Sequence, residues 1–121
     1  MSTWPLSFEI TSRQDVLVVK PVGRIDGQDY LTLDGKLAEL TKQGHLCLVL
    51  DLSAAQVVGS TALGVLLLHS QLMREQGGCL ALVVPEGTST RILRLADMGE
   101  AICICSTLEE AVGLAAGRGQ G

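Results

Sequence analysis

Ser60 and Thr61 stand between Gly59 and the Leu63-Gly64 pair in the run VVGSTALGVLLLHS, Val57 to Ser70, just ahead of an almost unbroken apolar stretch. A hydroxyl in such a place can serve as a nucleophile, a phosphate-loop ligand, a helix cap or an acceptor of a phosphoryl group. A nucleophile elbow needs Gly two residues before and two after the Ser, and Val58 and Ala62 occupy those positions around Ser60. An activated hydroxyl also needs a base within reach. The two histidines are His45, in a turn before a strand, and His69, more than two turns along the following helix. Neither is placed to activate Thr61, and both read as surface or packing residues. Gly59 and Gly64 have the spacing of a phosphate loop, but Val65 and Leu66 follow where Lys and Ser or Thr belong. Ser60 is well suited to cap the helix, because its oxygen can accept from the unpaired N–H groups of the first turn. Thr61 adds little as a second cap, so its hydroxyl is expected at the surface. The positive end of the helix dipole there would welcome a phosphate attached to Thr61. This reading makes Thr61 a substrate for another protein's kinase, with Ser60 the alternative acceptor.

The four cysteines, Cys47, Cys79, Cys103 and Cys105, lie inside the short apolar runs HLCLVLDL, GGCLALVV and AICICS. Free Cys in such a setting behaves as a small buried hydrophobe. No His or carboxylate follows Cys103 and Cys105 at zinc-ligand spacing. Structural thiols are expected, with no metal and no cofactor. A net charge of −4, with one Phe, one Tyr and one Trp, supplies neither a basic field nor stacking rings for nucleic acid. The N-terminus MSTWPLSFEI lacks the pattern of a secretory signal, and no apolar segment approaches the roughly 18 residues of a membrane span. A cytoplasmic chain without nucleic-acid or membrane partners is expected.

The elements that must position these residues follow from periodicity. At 121 residues the chain fits one domain, and with 47% hydrophobic but only 2% aromatic residues its core must be layered from Leu, Val, Ile and Ala. Leu6 to Ile10 alternate, and DVLVVKPVGRID continues as a second strand bent at Pro21, so the chain opens with an antiparallel hairpin. From Asp29 to Gln43 the period becomes helical, with Leu33, Leu37 and Leu40 inward and Gly44 as the stop. LCLVLDL reads as a parallel strand covered on both faces, followed by a loop. A helix from Ser60 to Gln76 is stopped by Gly77 and Gly78, and CLALVV is the next buried strand. Thr88 to Met98 reads as a third, short helix, AICIC as the last strand, and STLEEAVGLA as a final helix opened by a capping box. The order ββαβαβαβα predicts an α/β domain with a mostly parallel sheet, an antiparallel N-terminal strand and about four helices. The domain is expected over residues 1–116, with a flexible tail at 117–121. The second helix is apolar nearly all round, from Ala62 through Leu68, which fits either burial on most sides or a face that meets a partner.

The run LVLDLSAAQVVGSTALGVLL resembles the signature of the STAS domain of bacterial anti-sigma factor antagonists. There, a strand ending in Asp-Leu-Ser leads to Asp-Ser-Ser-Gly-Leu-Gly at a helix start. VVKPVGRID resembles the second strand of that family, REQGGCLALV its helix end, glycine pair and next strand, and TRILRLADMG its third helix. The resemblance implies a non-enzymatic switch of STAS fold that binds an anti-sigma serine/threonine kinase and releases a sigma factor. Phosphorylation of one Ser or Thr turns it off, and a phosphatase restores it. It places the phosphoacceptor at Thr61, the preceding hydroxyl at Ser60, the Leu-Gly pair at Leu63 and Gly64, and acidic positions near the acceptor loop at Asp26 and Asp51. Gly59 stands where the family has Asp, and Ala62 where it has Gly; removing a carboxylate beside the acceptor favours a phosphate there. Ala62, Leu63 and Gly64 are expected to meet the partner. The alternatives are a STAS scaffold in a stress-signalling assembly, with other STAS proteins as partners, and a domain binding a small molecule or nucleotide.

Overall fold

The computed structural model describes residues 6–25, 29–58, 60–84 and 103–119. The chain opens with an antiparallel hairpin, β1 (Ser7–Arg13) and β2 (Val16–Ile25), in register from Ser7 opposite Val22 to Arg13 opposite Val16. Its turn places Gln14 and Asp15 at positive φ, 52° and 66°, as a two-residue hairpin loop requires. Then follow α1 (Asp29–Lys42), β3 (Cys47–Asp51), β4 (Ala55–Val58), α2 (Ser60–Glu75), β5 (Cys79–Val83), β6 (Cys103–Cys105) and α3 (Leu108–Gly119). The strands lie in the order β1-β2-β3-β5-β6, with every pairing after the hairpin parallel. This is the expected α/β architecture with one antiparallel strand. Three of the four predicted helices are present; the one predicted at Thr88 to Met98 lies outside the described residues. The last helix runs on to Gly119, into the segment 117–121 predicted as a tail, its final turns held over the sheet by the buried Ala115.

Two apolar layers sandwich the sheet. Leu33, Leu37 and Leu40 of α1, with Ala62, Leu63, Leu66 and Met73 of α2, pack on Val19, Leu48, Leu50, Leu80 and Leu82. On the opposite face Ala111, Val112 and Ala115 of α3 cover Val16, Val18, Val49, Ala81 and Val83. Cys79 and Cys105 are buried in this second layer, with Cys47 and Cys103 half-buried against it. Burial, then the neighbouring Glu110 carboxylate and Cys103, push the Cys105 thiol up to about 11.

The helix ends follow the glycines. Gly44 and Gly77 hold φ of 101° and 84°. The N–H of Gly44 bonds Thr41 O while His45 bonds Leu40 O, and Gly77 bonds Arg74 O while Gly78 bonds Met73 O. Both helices therefore end in the left-handed motif that satisfies their last carbonyls. Gly78 is required for another reason: a Cβ there would overlap the carbonyl of Leu46 at the entry to β3. At the start of α3, Thr107 Oγ1 accepts from Glu110 N–H, and Glu110 Oε1 accepts from Ser106 N–H. Thr107 thus caps the helix, while the Glu110 carboxylate reaches back past Thr107 to the N–H of Ser106.

One element departs from expectation. Ala55–Val58, predicted as loop, is a strand paired parallel with the far end of β2, with Gly23 opposite Ala55, Arg24 opposite Val57 and Ile25 opposite Val58. The register slips between Gly23 and Arg24, where Gly23 holds a φ of 115° that suits glycine best. Pro21 sits between the stretch of β2 that pairs β3, Leu17 to Val19, and the stretch that pairs β4. A residue without an N–H is tolerated where the strand changes neighbours on that side.

Candidate functional site

β4 ends immediately before the Gly59–Ser60–Thr61 segment, and β2 ends at Ile25, immediately before Asp26. Because Ile25 pairs with Val58, these two strands end side by side. Asp26 and Gly59 themselves lie outside the described residues, as does the side chain of Ser60. Asp51, the other predicted acidic position, ends β3 with only 7% exposure. Its Oδ1 accepts the N–H of Ser53 at 3.0 Å, and Ala55 N–H bonds Leu52 O at 3.1 Å. Asp51 thus fixes the turn that delivers the chain into β4 and from there to the start of α2, as Asp side chains do in turns.

Thr61 lies in the first turn of α2 and is exposed. Ala62 and Leu63 are not on that surface. They are 2% and 7% exposed and belong to the core under the helix, so two of the three residues predicted to touch a partner instead seat the helix on the sheet. The physical reason is helical geometry: residues one and two beyond Thr61 turn by about 100° each away from its face. Gly64, the third, is exposed. Continuing at spacings of three and four residues, the same stripe reaches Leu68, 51% exposed, and Leu72, 43% exposed. Leu31 of α1 is also exposed, at 56%. The apolar wrap of α2 therefore divides into a core face and an outward face that begins at Thr61.

The first turn of α2 contains no acidic residue, whereas α1 carries Asp29 there and α3 carries Glu109 and Glu110. The positive end of its dipole is thus met by no carboxylate of its own first turn.

His69 is 6% exposed, and its Nε2 lies 2.6 Å from Asp34 Oδ1, joining α2 to α1. From the sequence His69 is a surface or packing residue, and nothing near it points to this partner 35 residues earlier. A shallow cavity of about 290 Å³ lies beside the pair, lined by Ala38, Thr41, Lys42, His69, Leu72, Met73 and Gln76. Thr41 directs its hydroxyl at Leu37 O and Ala38 O of its own helix, so Lys42 and Gln76 bring the cavity's remaining polar ends. Among the described residues no group of three or more His, Cys, Asp or Glu is placed to hold a metal ion, and no helix is long and apolar enough to cross a membrane.

The model of the STAS domain family matches residues 7–111. Among solved structures, the chain is similar to an anti-sigma factor antagonist from Mycobacterium paratuberculosis, at 22% identity and a TM-score of 0.74, covering 91% of this chain and 93% of that one. It is similar to the anti-sigma factor antagonist SpoIIAA in its unphosphorylated form, at 16% identity and a TM-score of 0.69, covering 95% and 99% of the two chains. The Bacillus cell fate determinant SpoIIAA in its phosphorylated form is 17% identical with a TM-score of 0.65, covering 88% and 97%. At these identities the likeness is one of fold. No curated protein sequence matches the chain.

Proposed function

The chain belongs to the STAS domain family, and on that premise we propose that it is an anti-sigma factor antagonist, a non-enzymatic cytoplasmic switch whose phosphoacceptor is Thr61. In the unphosphorylated form it binds an anti-sigma serine/threonine kinase and so releases a sigma factor; the kinase phosphorylates Thr61, and a serine/threonine phosphatase reverses the modification. The observation that carries this reading is the exposure of Thr61 at the head of an outward apolar stripe, Gly64, Leu68 and Leu72. A docking face and a modifiable hydroxyl then share one helix surface, so the modification acts where the partner sits.

The chemistry of the two forms differs in sign for the fold and for the complex. A phosphothreonine carries about −1.5 to −2 charges. At the first turn of α2 it meets the positive dipole end, an interaction worth roughly 0.3–1 kcal/mol, so the fold is retained. Inside a complex the same group has to be desolvated against a partner surface that accepted a neutral hydroxyl and Leu side chains, which opposes binding. Ala62 and Leu63 support this surface from beneath, and Asp51 holds the turn that delivers it.

The test is to incubate the purified protein with an anti-sigma kinase of the same organism and ATP, and to map the phosphate. The expected result is one phosphate on Thr61, none on the Thr61→Ala variant, and undiminished kinase binding by that variant. Phosphate on Ser60, or a Thr61→Ala variant that is still phosphorylated, contradicts the assignment. Recovery of other STAS proteins alone as binding partners supports the scaffold reading instead.

A further inference from the structure

The outer edge of β1 is the longest strand edge the described residues leave unpaired. β1 is the first strand in the sheet order, and β2 on its other side separates it from β3 and β4. Six of its seven residues are exposed, and its sequence, SFEITSR, contains no Pro or Lys, its two charges being the oppositely signed Glu9 and Arg13. By strand alternation Phe8, Ile10 and Ser12 point to the face carrying α1 and α2, and Glu9, Thr11 and Arg13 to the face carrying α3. Ile10 is 40% exposed on the first face. Glu9 and Arg13 form no ion pair with another described residue; Glu9 lies opposite Lys20 on β2, and Arg13 opposite Val16.

The charges on this edge are arranged symmetrically about Thr11, with Glu9 two residues before it and Arg13 two residues after. An antiparallel two-fold pairing of this strand with an identical strand, centred on Thr11, sets each Glu9 opposite the Arg13 of the other copy and Thr11 opposite Thr11. We propose that the β1 edge is an interaction surface whose partner is a second copy of this chain, joined antiparallel through Thr11 into a sheet continuous across both copies. Two reciprocal ion pairs fix the register on the α3 face, and each Ile10 is covered beside the two-fold axis on the other face. The contact is isologous and closes on itself, so it yields dimers and not fibres. With one short strand from each copy it falls at the small end of interface sizes, below about 1,200 Å², and a dissociation constant on the order of 10⁻⁵ to 10⁻⁴ M is expected. This surface lies across β2 from the β4 route to Thr61, so it does not depend on the phosphorylation reading.

Sedimentation velocity of the full chain from about 10 µM to about 1 mM, a range that brackets the expected dissociation constant, tests the proposal. The expected result is a monomer of 12.7 kDa passing into a dimer of twice that mass. Glu9→Arg or Arg13→Glu, each of which turns both ion pairs into like-charge contacts, should weaken the dimer at least about tenfold. The double variant Glu9→Arg with Arg13→Glu should restore it. Both side chains are exposed, and circular dichroism checks that each variant keeps the fold. A chain that stays monomeric throughout the range, a dimer indifferent to the single reversals, or a double variant as weak as the singles overturns the proposal.

Discussion

α1 and α2 are built to the same plan and differ in what they present outward. Both connect parallel strands on the same face of the sheet, both end in a glycine at positive φ with the same pair of capping bonds, and Asp34 and His69 tie them together. α1 buries one stripe, Leu33, Leu37 and Leu40, and turns Lys36, Glu39 and Lys42 toward water or the flanks. α2 buries a comparable stripe, Ala62, Leu63, Leu66 and Met73, and then places Leu68 and Leu72 on its outward side as well. α1 leaves one leucine exposed, Leu31, whereas α2 leaves two, Leu68 and Leu72, in line with Thr61. Leucines that the core does not use, in line with an exposed Thr at the head of the helix, are the part of the sequence that points to a partner.

The largest effects should be common to both helices. Leu37→Ala in α1 and Leu66→Ala in α2 each remove a fully buried side chain, and each should lower unfolding free energy by about 2–5 kcal/mol in chemical denaturation. A marked inequality between them would mean that the two helices are not equivalent supports of the same layer. The outward leucines should behave oppositely. Leu68→Ser or Leu72→Ser should shift stability by no more than about 0.5 kcal/mol, yet weaken kinase binding by about 1 kcal/mol or more, roughly fivefold, in a titration. Leu68→Ser destabilising the fold as Leu66→Ala does would move α2 back to a purely structural role.

A further effect concerns the other face of the sheet and serves as a control. In the folded chain the Cys105 thiol is raised from 9.0 to about 11, so between those values the unfolded chain has lost this proton while the folded chain keeps it. The contribution is fully present below about pH 9 and is lost as pH rises toward 11. Thermal unfolding at about pH 8 and pH 10.5 should show a steeper loss for the parent than for Cys105→Ala. Equal losses would show that Cys105 keeps an ordinary thiol in the fold. Because α3 lies across the sheet from α2, Cys105→Ala should leave kinase affinity at neutral pH unchanged.

What could be read from the sequence was what is local. The hairpin, the parallel strands, the inward leucines of α1 and the two glycine stops are each specified within a few residues, and each stands where predicted. β4 escaped because Ala55–Val58 is short and earns its strand conformation from pairing with Gly23–Ile25, about thirty residues earlier and across a slipped register. The inward and outward sides of α2 escaped for a related reason. A helix apolar all round carries no periodic contrast, so Ala62 and Leu63 could not be told from exposed neighbours until the helix was set on the sheet. The Asp34–His69 bond joins residues 35 apart, and neither neighbourhood hints at the other. At the site, Thr61's place in the first turn and its exposure were legible from the hydroxyl pair and the helix start; the stripe below it was not.

Thr61 is proposed to couple modification to partner release, which a calorimetric titration of the anti-sigma kinase into the protein before and after stoichiometric phosphorylation would show. Mass spectrometry of the titrated samples locates the phosphate. The expected result is phosphate on Thr61, a fold whose melting temperature is little changed, and binding weaker by about 2 kcal/mol or more, at least roughly thirtyfold. Phosphorylated protein that binds the kinase as tightly as the unmodified form, or loss of binding caused by phosphate at any residue other than Thr61, would contradict it.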